Sequence, residues 1–80
     1  MKAKIYVTLK KGILDPQGKA VEHALATLGF TSATNVRMGK YVELEIHESA
    51  KDKAETDVKA MCEKLLANTV IEDYRYEVEG

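Results

Sequence analysis

One cysteine, two histidines and a junction reading GILDPQGK are the places in this 80-residue chain where chemistry could reside. Cys62 lies in AMCEKLL, on the helical side shared by Met61 and Leu65. A thiol in such apolar company has a raised pKa and is inert, so Cys62 reads as a small core residue. His23 and His47 are far apart, and neither has a metal-ligand spacing to Cys62 or to a carboxylate pair. With no CxxC and no HxxxH, nothing in the spacing holds a metal. GILDPQGK is glycine-rich and carries a lysine, but it lacks the GxxxxGK[ST] spacing of a phosphate loop. Pro16 also removes an N–H from the place where phosphate would be cradled. Glu43, Glu45 and Glu77 fall at outward strand positions, and the Asp57–Lys53 and Glu63–Lys64 charges are those of a solvated helix surface.

Two constellations survive this search. In Asp15-Pro16-Gln17-Gly18, the first two residues are explained as an N-cap and a first helical position. Gly18 is not so explained, because glycine in a first turn costs roughly 1 kcal/mol relative to alanine. Its expected use is close backbone approach by another chain or another element. In Arg37-Met38-Gly39-Lys40, Gly39 reads as a turn residue with positive φ, bracketed by two cations. The pair is either a solvated basic turn or a docking point for an acidic partner surface or anion.

The elements that must position these residues follow from periodicity. Residues 4–9, KIYVTL, alternate as a strand, with Ile5, Val7 and Leu9 on one side and Lys4, Tyr6 and Thr8 on the other. From Pro16 to Leu28, Ala20, Val21, Ala24, Leu25 and Leu28 form one helical stripe, closed by Gly29. Thr34–Met38 predicts a short strand, turning at Met38-Gly39-Lys40 into a second one with Val42, Leu44 and Ile46 inward. Ser49 and Asp52 fit a variant capping box. The helix beyond them carries Ala54, Val58, Met61, Cys62, Leu65 and Leu66 on its inner face, with Asn68 near its end. Ile71–Glu79 is the last strand.

The order β-α-β-β-α-β predicts an α+β two-layer sandwich: a four-stranded antiparallel sheet with two helices on one face. Its other face would carry Tyr6, Thr8, Tyr41 and Glu43, with Tyr74 or Tyr76 a further candidate. A sheet face so rich in tyrosine is a candidate subunit contact.

Bulk composition narrows the function classes. Eighty residues make one domain, spanning 1–80. Such a domain is marginal alone, so oligomerisation or docking is a natural source of extra stability. A net charge of −1 gives no strong pull toward nucleic acid or an anionic membrane. An RNA-binding sheet would interleave aromatics with Lys or Arg, whereas Tyr41 is followed by Val42 and Glu43 and the chain ends EDYRYEVEG. One cysteine excludes an intrachain disulfide and suits a reducing compartment. MKAKIYVTLKK has no signal-peptide apolar core, and no run is long enough for a membrane helix, so a cytoplasmic location is expected.

VTLKKGILDPQGKAVEHALATLGF, then VRMGKYVELEI, then LLANTVIEDYRYEV, closely resembles the PurS family over nearly the whole chain. That family is the small subunit of phosphoribosylformylglycinamidine (FGAM) synthase. LDPQG, the LGF after the first helix and the VRxGKxxEL segment are together specific, while Lys11 and Thr69 depart from the family only in loop detail. The resemblance implies an accessory subunit of purine biosynthesis with no catalytic residues of its own. The synthetase PurL would bind ATP and Mg and phosphorylate the amide oxygen of formylglycinamide ribonucleotide, so no cofactor is expected here. Ammonia from the glutaminase PurQ would then attack the activated carbon. The small subunit would bridge PurL and PurQ, assist ammonia transfer, and self-associate through its sheet as a dimer or tetramer.

On that reading Asp15, Gln17, Gly18, Arg37, Gly39 and Lys40 are the partner-contact candidates, and Tyr6, Thr8, Tyr41 and Glu43 the self-association candidates. Gly18→Ala would leave the isolated fold neutral or stabilised while weakening the complex. Two other readings stand beside it. One is a dimeric ligand-sensing α+β module. The other is a small enzyme using Arg37 with Asn35 as an anion site for acyl-phosphate hydrolysis; fold alone licenses neither.

Overall fold

The computed structural model describes all 80 residues, Met1–Gly80. Alternation of β-branched and polar residues produces β1 (Lys2–Leu9), and the Asp15-Pro16 start produces α1 (Pro16–Thr27). There follow β2 (Gly39–Glu45), α2 (Lys51–Met61) continued by a π-helical turn Cys62–Leu66, and β3 (Glu72–Glu79). The sheet is antiparallel, three-stranded and ordered β2-β1-β3. Ala3, Ile5 and Val7 of the central strand cluster with Ala54 and Val58 of α2 and Cys62 of the π-turn, with Ile46, Ala67 and Val78 closing the core. Three positions four residues apart along α2 and into its continuation are what a helix lying along a sheet needs.

The expected fourth strand is absent, and the reason lies in its backbone groups. Asn35 adopts φ 56, which breaks an extended run. The Val36 N–H donates to Glu22 Oε1 and the Met38 N–H to Asp15 Oδ2, so amides that could have joined the sheet edge are held by α1 and its cap. Gly39 does not turn. It is the first residue of β2, opposite Thr8, and a Cβ there would overlap the Val7 carbonyl oxygen.

A second correction concerns α1. The expected layer of two helices on one face is half built: α2 lies against β3, while α1 packs substantially against no other element. The strand β1 should span roughly 27 Å and α1 roughly 18 Å. Laid end to end they account for most of the 49 Å long axis. The radius of gyration, 15.9 Å, exceeds the roughly 12 Å of a compact chain of this length. Residues 10–38 therefore form an arm beyond one end of the sheet.

Smaller differences have local causes. The N-cap of α2 is Ala50 with no side-chain cap, so the Ser49 capping box does not form; the Ser49 N–H instead donates to Glu48 Oε1. The Ala67 N–H donates to the Cys62 carbonyl five residues back, a π-turn that rotates Leu65 out of the inner face. Leu65 is 81% exposed and Met61 37%. Tyr74 and Tyr76 pack half-buried against the core side, and Arg75 takes the outer face in their place.

Candidate interface: a backbone clasp and two uncovered surfaces

The clasp begins with Asp15, the one buried charged residue of the molecule. Its Oδ1 accepts from the Gly18 N–H at 2.8 Å and its Oδ2 from the Met38 N–H at 2.7 Å. One carboxylate thus caps α1 and pins the chain returning from the arm. A Cβ on Gly18 would overlap the carbonyl oxygen of Val36. The close backbone approach that Gly18 predicts is real, but it is supplied by the same chain rather than by a partner.

Arg37 completes the clasp from outside. Its guanidinium donates to the carbonyls of Leu9 (2.8 Å), Lys10 (2.6 Å) and Ile13 (3.1 Å), which satisfies the end of β1 and the following turn. Those bonds commit three of its five N–H donors to backbone, and the side chain remains exposed. A cleft of about 730 Å³ beside it is bordered by Lys11, Lys19, Glu22 and Asn35. Asn35 contributes its left-handed backbone there. Gln17 and Lys40 lie exposed at the rim of the clasp, and Lys40 makes no ion pair. The structure therefore joins Asp15, Gly18 and Arg37 in one unit, whereas Gly39 lies in the sheet against Val7 and Thr8. Glu22 and Ile13, which spacing did not single out, belong to that unit.

Hydrogen bonds from the Gly18 and Met38 amides hold the Asp15 carboxyl below its usual 3.8, with the nearby Arg37 charge adding to them. Because the folded carboxyl binds its proton more weakly than the unfolded one, its contribution is complete above pH 3.8 and is lost as pH falls through the lower folded value. Amide protection at Gly18 and Met38 is expected to follow that course in an NMR titration. In Asp15→Asn the single carbonyl oxygen can serve only one of the two N–H donors, and its NH₂ opposes the other. At neutral pH that variant is expected to lose roughly tenfold or more of the protection at one of these amides. Unchanged protection in the variant would show that Asp15 does not hold the arm.

The outer sheet face gathers the other predicted residues. Tyr6 sits opposite both Tyr41 and Arg75, with the tyrosine rings 5.0 Å apart and the Arg75 guanidinium carbon 3.9 Å from the Tyr6 ring centre. Tyr41 Oη donates to Glu43 Oε1 at 3.2 Å, and Lys2 Nζ reaches Glu43 Oε2 at 2.9 Å. The Lys2 and Tyr41 hydrogen bonds hold the Glu43 carboxyl below its usual range, whereas partial desolvation raises the Tyr41 phenol. Thr8 lies at the end of this face against Gly39. The remaining chemistry candidates are dispersed. No three His, Cys, Asp or Glu side chains come together, and burial raises the Cys62 thiol above its usual 9.0.

Apolar surface is left bare in two places. On the arm, Ala20, Val21 and Ala24 of α1 are exposed, as are Leu28 (72%) and Phe30 (58%) just beyond its end. On the body, an open groove of about 520 Å³ runs between β2 and α2, walled by Leu44, Ala60, Met61, Leu65 and Leu66. A three-stranded sheet backed by one helix, with a second helix held out on a clasp, describes an assembly protein whose surface another polypeptide completes.

Comparison with known proteins places that class within one family. The family model for PurS, described as phosphoribosylformylglycinamidine (FGAM) synthase, matches residues 2–80. The chain is 60% identical over 78 residues to the phosphoribosylformylglycinamidine synthase subunit PurS of Bacillus subtilis (strain 168), covering 98% of this chain and 92% of that one. Among solved structures, B. subtilis PurS superimposes with a TM-score of 0.86 at 59% identity, over 99% of this chain and 98% of that one. A chain of PurLQS from Thermotoga maritima gives a TM-score of 0.87 at 34% identity, over 95% and 93%. The chain belongs to the PurS family.

Proposed function

We propose that this chain is the small, accessory subunit of FGAM synthase in purine biosynthesis, bridging a PurL synthetase and a PurQ glutaminase. The observation that carries this reading is its near full-length likeness to a chain of PurLQS. The uncovered helix stripe and groove support it, since both are apolar surfaces the chain itself does not bury. The ATP- and glutamine-dependent conversion of formylglycinamide ribonucleotide to its amidine then belongs to the larger subunits. ATP and Mg are held by the synthetase, and this chain supplies no catalytic group. Its contribution is placement. Ammonia is a nucleophile only while unprotonated, so a subunit that aligns the two sites and keeps water out raises flux without chemistry of its own.

Self-association belongs to the same reading. The Tyr6, Thr8, Tyr41 and Glu43 face is the proposed sheet-to-sheet contact of a dimer, with a tetramer as its further assembly. The exposed rim residues Gln17 and Lys40 are proposed to meet the larger subunits beside the clasp. No helix is long and apolar enough to cross a membrane, and the proposed location is the cytoplasm.

Reconstitution with the cognate PurL and PurQ tests the reading. Glutamine-driven amidine formation is expected to depend on this chain, falling by roughly tenfold or more when it is left out, and the three proteins are expected to co-elute. Undiminished glutamine-driven turnover without it, together with no co-elution, would overturn the accessory role and return the ligand-sensing module to consideration.

A further inference from the structure

We propose that the cleft of about 730 Å³ beside the clasp binds a small sugar phosphate, its phosphate held by Lys11, Lys19 and Arg37. The proposal concerns this chain alone and does not rest on its place in a synthase. Charge is divided unevenly along the sequence. Residues 10–40 carry five basic residues against two acidic ones, a net +3, while the remainder carries seven against eleven, a net −4. Every ion pair of the molecule lies in that remainder, joining Lys2 to Glu43, Lys4 to Glu79, Lys53 to Asp57 and Arg75 to Glu77. Lys11, Lys19 and Arg37 border one cleft, and none of them has a carboxylate within ion-pair distance. The two acids at the cleft are engaged elsewhere: both Asp15 oxygens accept backbone N–H groups, and Glu22 Oε1 accepts from the Val36 N–H. A basic face kept only for solubility needs neither a concavity nor a fixed guanidinium.

The fixed guanidinium preorganises the cleft. Three backbone carbonyls hold Arg37 in place, leaving it two N–H donors and its full charge. A ligand meeting it has little side-chain entropy left to remove. The backbone N–H groups of Gly12, Leu14 and Asn35 border the same space and make no hydrogen bond to backbone. Lys11 and Lys19 add two flexible ammonium groups, both exposed. Three cations exceed what one carboxylate can neutralise, whereas a phosphate monoester brings about −1.5 to −2 charges and three strong acceptor oxygens. Ile13, Leu14 and Val36 supply apolar wall, and the space is larger than bare phosphate fills, so the ligand carries an organic body. No aromatic side chain borders the cleft, so nothing there stacks on a base. A sugar phosphate is the class that remains.

Amide NMR on the full chain tests the site, with ribose 5-phosphate, inorganic phosphate and ribose added separately at constant ionic strength. Ribose 5-phosphate is expected to give saturable shifts at Gly12, Leu14 and Asn35, with an affinity at least about tenfold above that of inorganic phosphate. Ribose alone is expected to give none. Lys11→Gln and Lys19→Gln alter exposed side chains that take no part in the clasp, and each is expected to weaken binding by roughly tenfold. Lys64→Gln, at an exposed position on the body, is expected to leave binding unchanged. The proposal is overturned by absence of saturation, or by inorganic phosphate binding as tightly as the sugar phosphate. It is equally overturned if both cleft lysine variants bind like the parent, or if Lys64→Gln weakens binding as much as they do. A tetraglutamate peptide that displaces ribose 5-phosphate at equal concentration would also overturn it, since the cleft would then read acidic polypeptide.

Discussion

Gly18→Ala is expected to destabilise the chain by roughly 1–3 kcal/mol, the usual cost of forcing atoms into filled space. Helix propensity alone points the other way, since alanine is better than glycine in a helix by about 1 kcal/mol. The clash wins because the new methyl would overlap backbone, the Val36 carbonyl oxygen, and a carbonyl cannot rotate aside as a flexible side chain can. The Asp15 carboxylate crowds it from a second side at 2.9 Å. Relief requires residues 35–38 to move off the start of α1, loosening the Met38–Asp15 bond that anchors the arm. Urea unfolding measures the loss, with Ala20→Gly as the control: it pays the propensity cost in the same helix with no overlap. A Gly18→Ala chain as stable as the parent would show that the arm does not close on Gly18. In the reconstituted complex the same variant is expected to lower glutamine-driven turnover, because a displaced arm presents α1 in the wrong place.

The largest effect is expected in the core. Ile5 is fully buried on the central strand, flanked on its own face by Val42 on β2 and Tyr76 on β3. Removing its three outer carbons in Ile5→Ala leaves a cavity under α2, at a cost of about 3–4 kcal/mol. A domain of this size holds roughly 4–12 kcal/mol in all, so the variant should be partly unfolded at moderate temperature. Ile5→Val, which removes one methylene, should cost about 1 kcal/mol. Both are read from urea midpoints at one fixed protein concentration, since association adds to apparent stability. Equal midpoints for the two variants would mean that Ile5 does not face α2.

Local pattern was enough for the elements that carry their own signal. The alternation of Ile5, Val7, Val42 and Leu44, the Asp15-Pro16 helix start and the left-handed Gly29 at the end of α1 all depend on neighbours within a few residues, and the structure contains each. The Tyr6, Tyr41 and Glu43 face was legible for the same reason, because a strand's two sides are set by parity. Tyr74 and Tyr76 obey parity too. Their side could not be assigned before β3 was known to pair with β1 in the register that sets Tyr76 opposite Ile5.

Long-range pairing decided the rest. Thr34–Met38 has the residues of a strand, but its amides are taken by Glu22 and Asp15, side chains far away along the chain. Arg37 looked like an unattached cation, whereas in the fold three of its N–H donors are held by the Leu9, Lys10 and Ile13 carbonyls. Leu65 kept helical spacing, yet one extra residue in the π-turn moved it outward. The apolar stripe of α1 marks a helix with a buried side, but periodicity carries no information about which chain provides the partner surface. The sequence by itself determined the three strands and two helices that form, though not that Thr34–Met38 stays out of the sheet, and that Gly18 needs close backbone contact, because those follow from local sterics and parity. Only the tertiary structure decided that the contact is internal and that α1 stands away from its own sheet, because both depend on which distant backbone groups compete for the Asp15 carboxylate and the Arg37 guanidinium.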